Sequence, residues 1–263
     1  MDKRVVSIER QRKRFYKSAK AIMRSALHSY YSEFFNQVSK CEDKKGMDEV
    51  ARKFLKDDKI QSAFKQIYIP VGKYFGEQSY DSIRKRYPQK SRPENIEQDY
   101  WLTWFERNTK GKLGKRITWI SNTTKDEFVR IVDKVAGYGF ENGIGIPEIA
   151  KQLQYELGIS EKYRAERIAR TEVISASNLS TQAGAEATGI ALDKEWISYI
   201  DDRTRESHIA INGEKVDMNE TFSNGLEVPG DPNGESEEVI NCRCTVGYIS
   251  KEDSDYGQWG RNL

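Results

Sequence analysis

The chain has 263 residues, 32 % of them charged, with a formal net charge of +2 and three cysteines. That length accommodates one large domain or two modest ones, and a mean hydropathy of -0.79 suits long solvated helices, or surface buried against partners, better than a tight sphere. No run of about 18 apolar residues exists, which excludes a membrane-spanning helix, and three cysteines cannot build a disulfide framework and suit a reducing cytosol.

The charge is unevenly placed. Residues 1–24 carry nine basic side chains against two acidic ones, a net +7, whereas residues 190–250 carry five against thirteen, a net -8. Such asymmetry predicts that the two ends face different partners. The opening stretch has neither the apolar core nor the small-residue cleavage site of a secretory signal, so the chain is expected to fold inside the cell. Within it Arg10, Arg12, Lys13, Arg14, Lys17 and Lys20 are candidate phosphate contacts for weak, sequence-independent binding of double-stranded DNA by counterion release. A solvated or partner-facing helix explains the same pattern as well.

In chain order, apolar residues from Ile8 through Phe15, Ile22 and Tyr30 to Phe34 recur at helical spacing and predict one long amphipathic helix over about 4–38. A second helical stretch starts near Asp48, carries Val50, Phe54, Phe64 and Ile67, is kinked or broken at Pro70, and resumes toward Tyr87. Residues 88–93 read as a linker. Residues 95–120 concentrate Tyr100, Trp101, Trp104, Phe105 and Trp119, more aromatics than a thin helical layer needs, and are a candidate partner-facing surface; a local aromatic core is the other reading. Thr124 and Glu127 look like a capping box opening a helix to about Gly137. After a turn at 139–145, Pro147 sits at the start of a helix that is expected to stop at Gly158. Ser160 is then the expected N-cap of a further helix over 161–188, with Gly189 as its stop.

Past Gly189 the character changes. Residues 194–200 and 239–249 read as strands separated by an acidic, loop-rich stretch. The fold class is therefore mainly α with a small C-terminal α+β module: an elongated helical N-terminal region over 1–120, further helix over 121–189, a compact β-containing module over 190–250 and a tail over 251–263.

The sharpest chemical signal is Asn241-Cys242-Arg243-Cys244. Two cysteines one residue apart in a strand point their sulfurs the same way, as metal ligation requires; small buried residues of a core strand would look the same. His208 would add a third ligand of the type zinc prefers, with Asp201, Asp202 or Asp231 available as a fourth or as an orienting partner for the ring. Asp202, Arg203 and Arg205 beside Asp201 also read as a small ion-pair network. Pro229-Gly230-Asp231-Pro232 reads as a tight turn, since two prolines leave few N–H groups for a phosphate. Arg170 and Glu172 are two apart on a helix and so reach different neighbours; docking of that helix on the C-terminal module through buried ion pairs is favoured over a catalytic arginine.

In order, these pieces resemble the phage Mu F-like family of minor head, or head-morphogenesis, proteins. The matching run is Ile168-Ala169-Arg170-Thr171-Glu172, Asn178, the tryptophan strand, the segment from Asp201 to His208, Gly213, Phe222, residues 229–232 and residues 241–244. The resemblance covers about 130–250. It implies a component made during head assembly in the host cytoplasm and placed at the portal vertex or in the head interior of the virion. Its partners would be the portal protein, capsid or scaffold proteins, and DNA in some members. Many members carry a His-Pro pair just before the cysteine motif, where this chain has Val239-Ile240. If that histidine is a zinc ligand in those relatives, it is lost here.

The alternative class is a metal-dependent hydrolase or nuclease using His208, Asp201 and Asp202. With two histidines in the chain and no His-Glu-x-x-His pattern, the residues favour a structural, non-catalytic protein. A helix-turn-helix regulator is a third class, but the helix following Gly158 is too long for one.

Overall fold

The computed structural model describes residues 2–53, 58–88 and 100–256. Its helices are α1 (Lys3–Val38), α2 (Lys44–Lys53), α3 (Asp58–Arg86), α4 (Tyr100–Thr109), α5 (Lys112–Val132), α6 (Tyr138–Glu141) and α7 (Ile146–Ala187). A π-helical turn over Asp133–Gly137 joins α5 to α6. The C-terminal module follows with β1 (Leu192–Ile197), α8 (Glu206–Ala210), β2 (Lys215–Asp217), α9 (Ser236–Val239), β3 (Thr245–Ser250) and α10 (Lys251–Tyr256). Phe54, most of the linker expected at 88–93 and residues 257–263 of the expected tail lie outside the described residues.

The expected class, mainly α with a small C-terminal α+β module, is what the structure shows. One apolar core runs from Ala19 on α1 to Ala176 on α7 and takes in all of α2 to α5. A division at residue 120 would cut α5 in its middle, through Ile117, Ile120 and Phe128, all buried in that core. The N-terminal helices and α7 are thus one packed layer rather than a region and a linker.

α7 is the spine, packed mainly against α3 and α1. Its buried residues Ile149, Leu153, Leu157, Ser160, Glu161, Arg164, Ala165 and Ile168 keep helical spacing straight through Gly158. The helix therefore does not stop there. A glycine in a helix costs only about 1 kcal/mol relative to alanine, and the continuous buried stripe outweighs it. Ser160 is not a cap: its hydroxyl meets the Tyr31 hydroxyl at 2.9 Å and donates to Glu127 at 3.1 Å. Thr124 likewise lies inside α5 and returns its hydroxyl to the Ile120 carbonyl at 2.7 Å, the usual use of threonine in a helix interior. Pro70 sits within α3, which runs on to Arg86; its ring faces solvent while Ile67, Tyr68 and Val71 are buried. The stop at Gly189, with φ of 70°, and the proline start of α7 are as the sequence predicts.

α3 and α7 approach most closely at two glycines. A Cβ on Gly184 would lie 2.1 Å from the Gly76 carbonyl oxygen, and one on Gly76 would collide with Trp101 at 1.8 Å. The aromatic cluster is largely core: Trp101 and Phe105 are buried, and Trp119 is the exposed member. Over 100–120 Trp101 and Phe105 follow the local-core reading, and residues 95–99 of that stretch lie outside the described residues.

The module carries a three-stranded antiparallel sheet in the order β2-β1-β3, with Trp196 opposite Val246 and Glu195 opposite Lys215. Strand β1 is shorter than expected and β3 starts only at Thr245. Residues 241–244 are irregular, with Asn241 at φ 57°, because Val239 ends a short helix and the chain must turn before it can pair. A second core of Trp196, Phe222, Leu226, Val228, Val239 and Val246 closes around the two cysteines.

Candidate metal centre

The chain turn at Asn241 does what strand alternation was expected to do. It sends both sulfurs toward α8, where His208 enters from the other side. The His208 Nδ1 lies 3.7 Å from Cys242 Sγ and 3.5 Å from Cys244 Sγ, and the three donor atoms fall within 4.8 Å of one another. A zinc ion bound tetrahedrally at usual bond lengths would set N···S separations near about 3.6 Å. The donor types and the spacing therefore both fit zinc.

The surroundings fit as well. The outer ring nitrogen, Nε2, meets Glu238 Oε2 at 2.8 Å, the carboxylate–histidine arrangement that fixes the tautomer of a ligating imidazole. Trp196 packs edge-on to the ring at 5.1 Å. Ser198, which accepts from the Trp196 indole at 3.0 Å, donates to the His208 carbonyl at 2.5 Å. Hydrogen bonding with Cys242, joined by His208, pulls the Cys244 thiol down, while the same pairing together with burial pushes Cys242 up. A cation held by both sulfurs requires them as thiolates, so its binding would release protons.

The fourth position differs from expectation. Asp201 is not at the cluster. Arg243 grips it through both guanidinium nitrogens, at 2.6 and 2.5 Å, and holds its carboxyl well below the usual range. Arg243 lies between the two cysteines in sequence and faces away from them. Asp231 instead accepts from the Glu227 and Asn233 backbone N–H groups in the tight turn. Asp202 is exposed and joins no ion pair among the described residues. The acid beside the histidine is Glu238, three residues before the cysteine motif. The pair Glu237-Glu238 was visible in sequence, but nothing in its spacing marked it.

The ion-pair network is smaller than expected. Arg203 reaches Asp201 at 3.6 Å, whereas Arg205 donates to the Ile240 carbonyl at 2.6 Å. Arg170 pairs with Glu166 one turn back on α7. Glu172, almost wholly buried, accepts from Tyr68 at 2.8 Å and pairs with Arg116 at 3.1 Å. Glu172 therefore locks α7 to α3 and α5, not to the C-terminal module.

The module docks on α7 and α1 through a mostly neutral set built around one buried cation, with an Arg4–Glu195 ion pair at 2.8 Å from α1 to β1 beside it. Asn178 donates to the Pro229 and Cys244 carbonyls at 2.7 and 3.2 Å, and the Asn241 N–H donates to Thr171 at 3.1 Å. Arg12, with no exposed side-chain surface, donates to Ser177, Asn178 and the carbonyls of Arg243 and Cys244 at 2.7 to 3.2 Å. Arg12 is consequently no phosphate contact; it is the pin between the first helix and the cysteine motif. Arg10, Lys13, Arg14 and Lys17 remain exposed, and Lys20 pairs with Glu166 at 2.6 Å. Among the described residues no helix is long and apolar enough to cross a membrane.

Residues 130–247 match the family described as Phage Mu protein F like protein. The chain is 35 % identical over 157 residues to the NAD(+)--arginine ADP-ribosyltransferase EFV of Enterococcus faecalis, which covers 57 % of this chain and 31 % of that protein. It is 26 % identical over 128 residues to the minor head protein GP7 of Bacillus phage SPP1, which covers 47 % of this chain and 41 % of that one. The chain thus spans well under half the length of either relative. No solved structure matches it significantly. The matched interval takes in the docking helix, the sheet, His208, Glu238 and both cysteines of the motif, and it is over these residues that the chain is similar to the Phage Mu protein F like family.

Proposed function

We propose that the chain is a structural component of a tailed-phage head, a minor head or head-morphogenesis protein built in the host cytoplasm and retained in the virion. The observation that carries this reading is the family match over 130–247, supported by the likeness to a phage minor head protein. The transferase activity in the enterococcal relative's name belongs to a protein of which the shared stretch is under a third, and it stays with that protein.

His208, Cys242 and Cys244 would hold one zinc ion as a structural stay. All three are 1–2 % exposed, so although three protein donors leave a fourth position to be filled, that position lies among buried side chains and not at the substrate-accessible opening that catalytic zinc keeps. That burial argues against a metal-dependent hydrolase or nuclease and for a non-catalytic protein. When bound, the ion would supply folding energy to a module whose own apolar core is small.

The portal is the proposed partner. On α7 Tyr155, Ile159 and Tyr163 follow one another four residues apart, and they are 64 %, 38 % and 69 % exposed. Such a stripe lies on one helix face, and aromatics concentrate at interface centres. Capsid or scaffold proteins would meet other faces, and the exposed cations of α1 would face packaged DNA. The test is co-expression of the full chain with the portal protein of its phage. Co-purification that is lost in a Tyr155→Ser/Tyr163→Ser variant, with the circular dichroism spectrum unchanged, is the expected result. A full chain that never co-purifies would sink the assignment.

A further inference from the structure

We infer that the cleft between α1, α7 and the loop ahead of β3 is a binding site for a phosphate group, presented as a phosphate mono- or diester. The cleft has a volume of about 630 Å³ and is lined by Lys13, Arg170, Arg203, Arg205 and Arg243, with Glu9 the one carboxylate among its lining residues. A cavity of that size suits a small ligand or one segment of a larger one. Because the inference rests on the cleft alone, it stands or falls separately from the head assignment.

The walls arrive from different parts of the chain, and most of their charged groups are held by named partners. Glu9 is already engaged, accepting from the Tyr16 hydroxyl at 3.0 Å and lying 4.0 Å from the buried Arg12. Its charge is shared with Arg12 and offsets the cations of the opposite wall only in part. Arg205 is held by the Ile240 carbonyl. Arg243 is held by Asp201 and lies over the Tyr199 ring at 4.4 Å. Arg170 keeps one contact to Glu166. Those anchors leave guanidinium N–H groups directed by rigid partners, while Lys13 has no ion pair among the described residues and supplies a mobile ammonium.

Counting the acids that touch these groups, Glu9, Asp201 and Glu166, the cleft still holds an excess of positive charge. Like charges gathered in a concave site repel one another, and an anion bound there relieves that repulsion. Arginine forks match the oxygens of phosphate in pairs, and lysine adds a point charge. A dianionic phosphate satisfies both demands better than a single carboxylate. The cysteine motif sets the geometry, because Arg243 and Asn241 in the wall flank Cys242 and because Arg12 pins the Arg243 carbonyl.

The experiment is a calorimetric titration of the full chain at low salt with inorganic phosphate, a nucleoside 5'-monophosphate and a short DNA duplex. It is repeated on Lys13→Glu, Arg203→Glu and, as a charge-matched control on the exposed face of α3, Lys65→Glu. Lys13 and Arg203 are exposed, so their substitution leaves the packed core intact. The inference expects saturable binding that weakens about tenfold or more in Lys13→Glu and Arg203→Glu, the loss of one charge-assisted contact each, with little change in Lys65→Glu. Binding of phosphate or the mononucleotide identifies a small monoester; binding of the duplex alone, with the same variant pattern, identifies a diester. No binding of any of the three probes overturns the site. So does equal weakening in all three variants, which would mean diffuse attraction, or a polyglutamate peptide that binds and is not displaced by phosphate.

Discussion

Replacing Arg12 by methionine removes a charge that nothing else can supply. The side chain is fully buried and donates to Ser177 at 2.7 Å, to Asn178 at 2.7 Å and to two backbone carbonyls at 3.1 and 3.2 Å. A hydrogen bond from a charged donor contributes about 1.5–3 kcal/mol, and a buried acceptor left alone costs about 1–3 kcal/mol. These terms share one side chain and do not add. Asn178 keeps Thr245 as a donor and Cys244 keeps Asn178, so part of the network survives. Buried charge partners cut in this way typically cost about 3–5 kcal/mol, and we expect Arg12→Met to lower the unfolding free energy by that amount. Urea denaturation followed by fluorescence and by far-ultraviolet circular dichroism measures it. Arg10→Met, exposed two residues away on another face of α1, should stay within about 0.5 kcal/mol. A loss below about 1 kcal/mol in Arg12→Met would refute the view that this residue pins the module to α1.

Protein purified without chelator should carry one zinc per chain, and Cys244→Ser should lose both the metal and several kcal/mol of stability; sub-stoichiometric zinc with Cys242→Ser folding normally would leave only packing at the cluster. Gly184→Ala should destabilise by about 1–3 kcal/mol, because the added methyl meets backbone rather than a flexible side chain, and an unchanged melting temperature would contradict that close approach. Asp201 has a folded-state pKa held below its ordinary 3.8 by Arg243, so its contribution is present above that value and is lost as pH falls through the folded one. The stability gap between wild type and Asp201→Asn should therefore narrow between about pH 5 and about pH 2, and a gap that is constant across that range would count against the pair.

Much of the architecture was legible because it follows from periodicity. The long first helix, the proline start of α7, its stop at Gly189 and the β character past it are all set by local chemistry. Gly158 misled, and Pro70 did not break its helix, for the same reason in reverse: each is a local breaker on an exposed face, where the buried stripe on the other side decides. The meeting of His208 with Cys242 and Cys244 could be anticipated from donor type. Their orienting partner Glu238 could not, because its role depends on a short helix that brings residue 238 back over α8. Arg12 shows the limit most clearly. In sequence it is one cation in a row of six, and only the crossing of α1 with α7 distinguishes the one that points inward.

The central claim, that this chain is built into a phage head, is tested most directly by protein inventory of the particles. Heads assembled from the complete set of head genes would be purified on a density gradient and analysed by quantitative mass spectrometry. The structural reading predicts the chain in the particle fraction at a fixed ratio to the portal protein, persisting after a high-salt wash. A chain abundant in the lysate but absent from washed particles would contradict it.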